Sequence, residues 1–306
     1  MDDPVDDTVD DTVDDHVYLS LAEGHADNDA RWAFGTGFTD PLHGVDTALP
    51  AGVDGPALAA CCLALGDDAL VSAQRLAEWC TRAPELEEEL ALANIGLDLL
   101  GQARLLYSRA GQADGSGRGE DHYAYLRGPS EFRNVCLAEL PNGDFAASVA
   151  RLLVLSAWRL ALLEQLIDAP DPVLAAIAAK GAKELHYHRQ YAAEWVVRLG
   201  DGTVESHRRM RDGMAALAPQ LAELLAPDAA LERFGARPTP AWEAVTAVLR
   251  TVGEAARIPV PGPEPAGPEP ASLVGPFGRA GRHTEHLAPL LAELQSVARA
   301  HPDGVW

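Results

Sequence analysis

Two tetrads, Leu99-Leu-Gly-Gln102 and Leu185-His-Tyr-His188, stand where a helical bundle would carry its chemistry. A carboxylate and an imidazole three residues apart, as in Glu-x-x-His, project from one side of a helix and can share an iron ion. Two such helices, with a Glu from each of two others, hold a pair of irons inside a bundle. Here both carboxylate positions are leucine and one imidazole position is glutamine. Leucine has no lone pair to give, and glutamine is a poor substitute for imidazole. None of the ten histidines has a Glu three residues before it, and the run FAASVARLLVLSAWRLALL (145–163) contains no acid. Leu99, Gln102, Leu185 and His188 therefore read as degenerate ligand positions, without the negative charge that holds two divalent cations. His188 reads as a hydrogen-bonded core histidine rather than a surviving ligand. Gln102 is expected to bond His188 or Asp98 across the bundle, in a polar plug closed by side-chain pairs or one water.

These residues need long helices to position them. Leu92, Ile95, Leu99, Gln102 and Leu106 recur at steps of three and four, which is one face of a helix. Leu174, Ala178, Gly181, Leu185, His188, Ala192 and Trp195 form a second such stripe. Around them the pattern predicts helices near 57–80, from Pro84 to about 110, 130–139, 145–167, 171–199, 203–225 with a bend at Pro219, 241–256 and 282–299. Asp144 and Asp171 stand at N-cap positions, and Gly111, Gly143 and Gly200 at stops. No segment alternates with period two and no repeat is found, so the fold class is all-α, an antiparallel helix bundle.

The chain has 306 residues, of which 24 are Lys or Arg and 46 Asp or Glu, a formal charge of -22. That balance argues against nucleic acid and anionic membrane as partners. Hydrophobic residues make up 47% but aromatics only 6%, an Ala/Leu composition that suits helices better than a β-sandwich. Eight of the acids are the aspartates of residues 1–15, with no basic residue among them, and that stretch reads as a disordered acidic tail. Residues 16–56 read as an irregular N-terminal extension. Residues 57–306 read as the bundle, interrupted by the Pro/Gly-rich insertion 259–278. The start has the features of no signal peptide, and no stretch is expected to be long and apolar enough to span a membrane. Cys61, Cys62, Cys80 and Cys136 form no CxxC pair and are expected to be buried free thiols of a reducing cytoplasm.

Several longer runs are more specific than the tetrads. ALGDDALVSAQRLAEWCTRAPELEEELALANIGLDLLGQARLLY (64–107), FRNVCLAELPNGDFAASVAR (132–151), DPVLAAIAAKGAKELHYHRQYAAEWVVRLGDGT (171–203) and GRHTEHLAPLLAELQ (281–295) resemble the PaaC family. That family is the structural, non-catalytic subunit of the ring-1,2-phenylacetyl-CoA epoxidase complex. The resemblance covers roughly residues 57–306 in order. It implies a ferritin-like bundle with no cofactor in this chain. It also implies a homologous catalytic di-iron subunit as partner, a small bridging subunit, and a flavin/iron–sulfur reductase. The acidic tail, the extension before Pro56 and stretch 259–278 depart from the family pattern.

Other candidates are weaker. Glu131, Phe132, Arg133 and Asn134, with Arg127 nearby, form a segment between helices. It reads either as loop packing or as a contact with the catalytic partner near the coenzyme A arm of its substrate, since an arginine fork suits phosphate. Glu232, Arg233 and Phe234 are a second such candidate. His283-Thr-Glu285-His286 lacks the His-Glu-x-x-His spacing of zinc proteases and reads as having a structural or interface role. His186 and His188, two apart, face different sides of a helix. Two rival functions stand beside the resemblance. One is a di-metal oxygenase using Asp67, Asp68, Asp98, Glu184 and His188 as unusual ligands. The other is a stand-alone helical binding module.

Overall fold

A computed structural model of the chain describes residues 42–263, 277–302 and 304. The acidic tail, the extension up to residue 41 and residues 264–276 of the Pro/Gly-rich insertion lie outside the described residues. The chain divides at Gly44 into two units, and every helix named below belongs to the second.

The helices are α1 Gly55–Ala77, α2 Leu86–Ala113, α3 Cys136–Glu139, α4 Phe145–Leu166, α5 Pro172–Gly200, α6 Val204–Ala215, α7 Ala218–Leu221, α8 Ala229–Glu232, α9 Pro238–Ala256, α10 Leu287–Leu294 and α11 Ser296–Ala300. Among the described residues there is no strand, only an isolated bridge between Phe277 and Arg282. The fold is an all-α helix bundle. Short connections make α1/α2 and α4/α5 antiparallel hairpins, and α2 packs on α5 to join them. α9 and α6 cover the outer side of α4/α5.

Local chemistry sets the starts. Asp54 accepts from the Ala57 amide (3.2 Å) with Pro56 in the first turn of α1, and Asp144 accepts from Ala147 (2.9 Å) to begin α4. Asp171 accepts from Leu174 (2.8 Å) to begin α5. α2 has no side-chain cap, but Glu87, Glu88 and Glu89 lie at its positive end. Three expected helices are broken. The 130–139 segment is a 3-10 turn Pro129–Glu131 and the short α3, with extended backbone between them because the Arg133 and Val135 amides donate to Asp67 and Asp68 instead of to a helix. The 203–225 segment splits into α6, α7 and a 3-10 turn Ala222–Leu225, because Pro219 enters the first turn of α7 instead of bending one continuous helix. The last helix begins at Leu287, not 282, because Phe277–Arg282 folds into a 3-10 turn closed by Gly281 at φ 72°.

Both stripes turn inward. Leu92, Ile95, Leu99, Gln102 and Leu106 are buried, as are Leu174 to Ala192 of the second stripe. Trp195 is half-buried, edge-to-face with Phe145 at 5.0 Å. Contrary to expectation, α1 and α4 are long and apolar enough to cross a membrane by length and composition alone. Their apolar windows are 72% and 89% buried inside the protein, so that apolarity is used up by the core. Cys61, Cys62 and Cys136 are buried, but Cys80 is exposed, because α1 ends three residues before it.

Candidate functional site

The four degenerate positions are all buried. Leu99 and Leu185 line one cavity of about 30 Å³ together with Asp68, Ser156 and Arg159. That is room for about one or two waters, far less than an organic ligand needs. Gln102 and His188 lie nearby on the same stripes, both buried.

The polar contacts differ from those expected. Gln102 bonds neither His188 nor Asp98. Its Nε2 donates to Glu184 Oε2 (2.8 Å), and its Oε1 accepts from Arg159 Nε (3.0 Å). His188 turns its Nε2 to Asp98 Oδ2 (3.0 Å), with the imidazole as donor because a carboxylate only accepts. Gly181 makes room for this arrangement: a Cβ there would lie 2.7 Å from Leu163 Cδ1 and 3.1 Å from Gln102 Cδ.

Arg159 is the group that the ligand-spacing argument missed. Its guanidinium also donates to Leu65 O (2.8 Å), while its Nη2 has no hydrogen-bond partner among the described residues. Burial pushes its pKa down to about 10, against the pull of Asp68 and with the repulsion of Arg279. Arg151, two turns earlier on α4, is likewise pushed to about 10 by burial and by Arg75, and its hydrogen bonds go to Leu140 O, Pro141 O and Asn142. The signal was present in the sequence. Arg151 and Arg159 stand eight residues apart in an apolar run, which places both on one face.

The acids proposed as unusual metal ligands are each held by another group. Asp67 pairs with Arg127, accepts from Tyr107 Oη (2.6 Å) and accepts from the Arg133 amide (2.7 Å). Asp68 accepts from Arg279 Nη2 (2.7 Å) and from the Val135 amide (2.8 Å). Burial opposes the charge on Arg279, but the Asp68 and Asp228 carboxylates outweigh it and hold its pKa up. Glu184 pairs with Lys180 as well as Gln102. Two leucines, one amide and an intrinsic cation at the centre do not fit a pair of iron ions: donors are lacking, and a guanidinium repels what they would bind.

Residues 48–306 match the family described as phenylacetic acid catabolic protein. The chain is also 44% identical over 257 residues to the C subunit of 1,2-phenylacetyl-CoA epoxidase from Escherichia coli (strain K12), covering 81% of this chain and 99% of that one. The chain belongs to the phenylacetic acid catabolic protein family. The family is ferritin-like, and α1, α2, α4 and α5 form the four-helix core of this member.

The remaining candidate residues of this family member divide by exposure. Phe132 and Asn134 are fully buried. The Arg127 guanidinium lies 4.2 Å from the Phe132 ring centroid, and Asn134 Nδ2 donates to Glu139 Oε1 (2.9 Å). Arg133 is half-buried and donates to Ser130 O (2.8 Å) and Phe132 O (2.6 Å); Glu131 is exposed and accepts from the Gly128 amide (2.7 Å). Glu232 and Arg233 are exposed, with Arg233 3.1 Å from Asp54, while Phe234 is buried. The two segments are thus anchored from inside by Phe132, Asn134 and Phe234, and show only Glu131, part of Arg133, Glu232 and Arg233 outside. His283 is held inside the protein: Nδ1 lies 2.5 Å from the buried Glu139 carboxylate and Nε2 3.0 Å from Phe132 O.

Proposed function

We propose that this chain is a non-catalytic, structural subunit of a multicomponent phenylacetyl-CoA ring-1,2-epoxidase, active in aerobic phenylacetate breakdown. It pairs with a homologous catalytic di-iron subunit and holds it in place. The observation that carries this reading is the bundle centre, where Leu99, Leu185 and Gln102 occupy the ligand spacing and Arg159 reaches in from α4. The likeness to a subunit of the Escherichia coli epoxidase supports membership of such a complex. On this reading the partner holds the iron pair and the substrate. A small bridging subunit and a flavin/iron–sulfur reductase, fed by NADPH, complete the assembly, in the cytoplasm.

The reading as an independent di-metal oxygenase is less well supported, because Asp67, Asp68, Asp98 and Glu184 are each engaged by Arg, Lys, His or Gln side chains. A rigid, metal-free bundle is a suitable support, since close-packed interiors transmit position to a neighbour's ligand helices. The test is co-expression with the homologous catalytic subunit, followed by sizing and iron determination. Iron is expected to follow the partner, with a stable complex of both chains. Two irons bound per chain in this protein purified alone would overturn the proposal.

A further inference from the structure

Two arginines on α4 enter the core without a carboxylate of their own. Arg151 and Arg159 are 5% and 4% exposed. They stand eight residues apart, about 12 Å along the helix. Their hydrogen bonds among the described residues go to neutral oxygens. Arg151 donates to Leu140 O, Pro141 O and Asn142 Oδ1, and Arg159 to Gln102 Oε1 and Leu65 O. Arg159 Nη2 is buried and has no hydrogen-bond partner among the described residues. The acids that act on the two cations are engaged by others: Glu78 by Arg75 (2.7 Å), Asp68 by Arg279 (2.7 Å) and Glu184 by Lys180. A buried cation is ordinarily paired, because an uncompensated charge is costly in a low-dielectric interior. Burial pulls both guanidinium pKa values down to about 10.

Both arginines line the same cavity of about 30 Å³ that Leu99 and Leu185 line. Ser72 of α1 and Ser156 of α4 line it too, each with a hydroxyl able to donate. Most of the remaining wall is leucine, and such surroundings strengthen any charge interaction inside. Asp68 is the acid in the wall, and Arg279 donates to it, which offsets its repulsion of an anion. A metal cation would meet two guanidiniums at close quarters. An organic acid is too large for the space, and water alone leaves the positive charge standing. A halide is little larger than water and brings the negative charge that the arginines lack. We infer that this cavity binds one small monovalent anion, chloride, held by the guanidiniums of Arg151 and Arg159 with Ser72 and Ser156 as hydroxyl donors. The ion bridges α1 and α4 inside the bundle and stabilises the folded chain by mass action. This goes beyond the subunit role proposed above and does not depend on it.

The test is thermal unfolding of the full chain at neutral pH and constant ionic strength, with chloride exchanged for gluconate, an anion too large for the cavity. For an affinity of about 5 mM, raising chloride from about 1 to about 100 mM is expected to raise the melting temperature of wild type by about 5 °C. Bromide is expected to act in its place, and crystals grown in bromide to show its anomalous signal between Arg151 and Arg159. Arg159→Met is expected to lose the chloride dependence. Should that variant fail to fold, Ser156→Val, which puts two methyl groups where the hydroxyl stood, is expected to lose it instead. A wild-type melting temperature that is the same in chloride and gluconate would overturn the assignment, as would bromide-grown crystals with no halide in this cavity. A chloride shift kept in full by the folded variants would put the ion elsewhere and overturn it too.

Discussion

Replacing Arg159 by Met asks what the cation at the bundle centre contributes. The substitution keeps most of the length and apolar volume of the side chain but removes the guanidinium. Two hydrogen bonds disappear, to Gln102 Oε1 (3.0 Å) and Leu65 O (2.8 Å). Leaving the buried amide oxygen without its donor costs about 1–3 kcal/mol. Against this, the folded protein is relieved of a buried cation that makes no direct ion pair among the described residues. Burial lowers its pKa from the usual arginine range to about 10, which corresponds to roughly 3 kcal/mol of folding free energy withheld at neutral pH. The two effects nearly cancel, so Arg159→Met is expected to change stability by no more than about 2 kcal/mol, where breaking a true buried ion pair costs about 3–5 kcal/mol. The sign with pH follows from the direction. A folded pKa below the unfolded one gives a contribution that is present above the unfolded value and lost as pH falls through the folded value. Wild type should therefore gain on the variant as pH rises through about 10. Urea unfolding of both proteins at pH 7 and at about pH 11, where the gain should exceed about 1 kcal/mol, measures both quantities. A loss above about 4 kcal/mol at pH 7, or no gain with pH, would refute the idea that burial outweighs the pull of Asp68 on this guanidinium.

Three further substitutions probe the surroundings. Asp171→Ala removes both the buried partner of Arg109 and the cap of α5, and is expected to cost about 4 kcal/mol or more in denaturant unfolding; Asp171→Asn, which keeps the cap, should recover about 1 kcal/mol of that. Gly181→Ala pushes a methyl group against Leu163 and Gln102, and should lower stability by about 1–2 kcal/mol despite alanine's better helix propensity; a stabilised variant would show that the Gln102 network shifts freely. Burial raises the pKa of Glu223 even though the Cys136 amide, Arg279 and the Gly278 amide favour its charged form. A raised carboxyl pKa gives stability that is full below the unfolded value and is lost as pH rises through the folded value. Glu223→Gln should therefore flatten the decline in melting temperature as pH rises above the ordinary glutamate value of about 4.3, and an unchanged slope would contradict the burial argument.

The helix pattern and the degenerate tetrads were legible in the residues. Steps of three and four bring Leu99 and Gln102, or Leu185 and His188, to one side of a helix whatever the rest of the chain does. The same local chemistry placed the starts of α4 and α5 at Asp144 and Asp171. What periodicity could not supply is which buried polar atoms meet. Gln102 takes Glu184 and Arg159 while His188 takes Asp98, because such pairings depend on the relative rotation of packed helices, and one residue of shift exchanges the partners. Nor could spacing along one helix show that Arg279, more than two hundred residues from Asp68, would close its charge.

Sequence alone thus determined the all-helical class, the inward stripes and the residue types that stand at the tetrad spacing, since each depends only on residue type and local repeat. Tertiary structure alone decided what those residues meet and which face is left outward. Arg159 reaches the centre from α4, and the α2 leucines Leu86, Leu90, Leu97 and Leu100 remain exposed, because α1 and α5 pack on the opposite side of α2. The physical reason is that burial and charge compensation belong to packed neighbours, and neighbours are chosen by the fold as a whole.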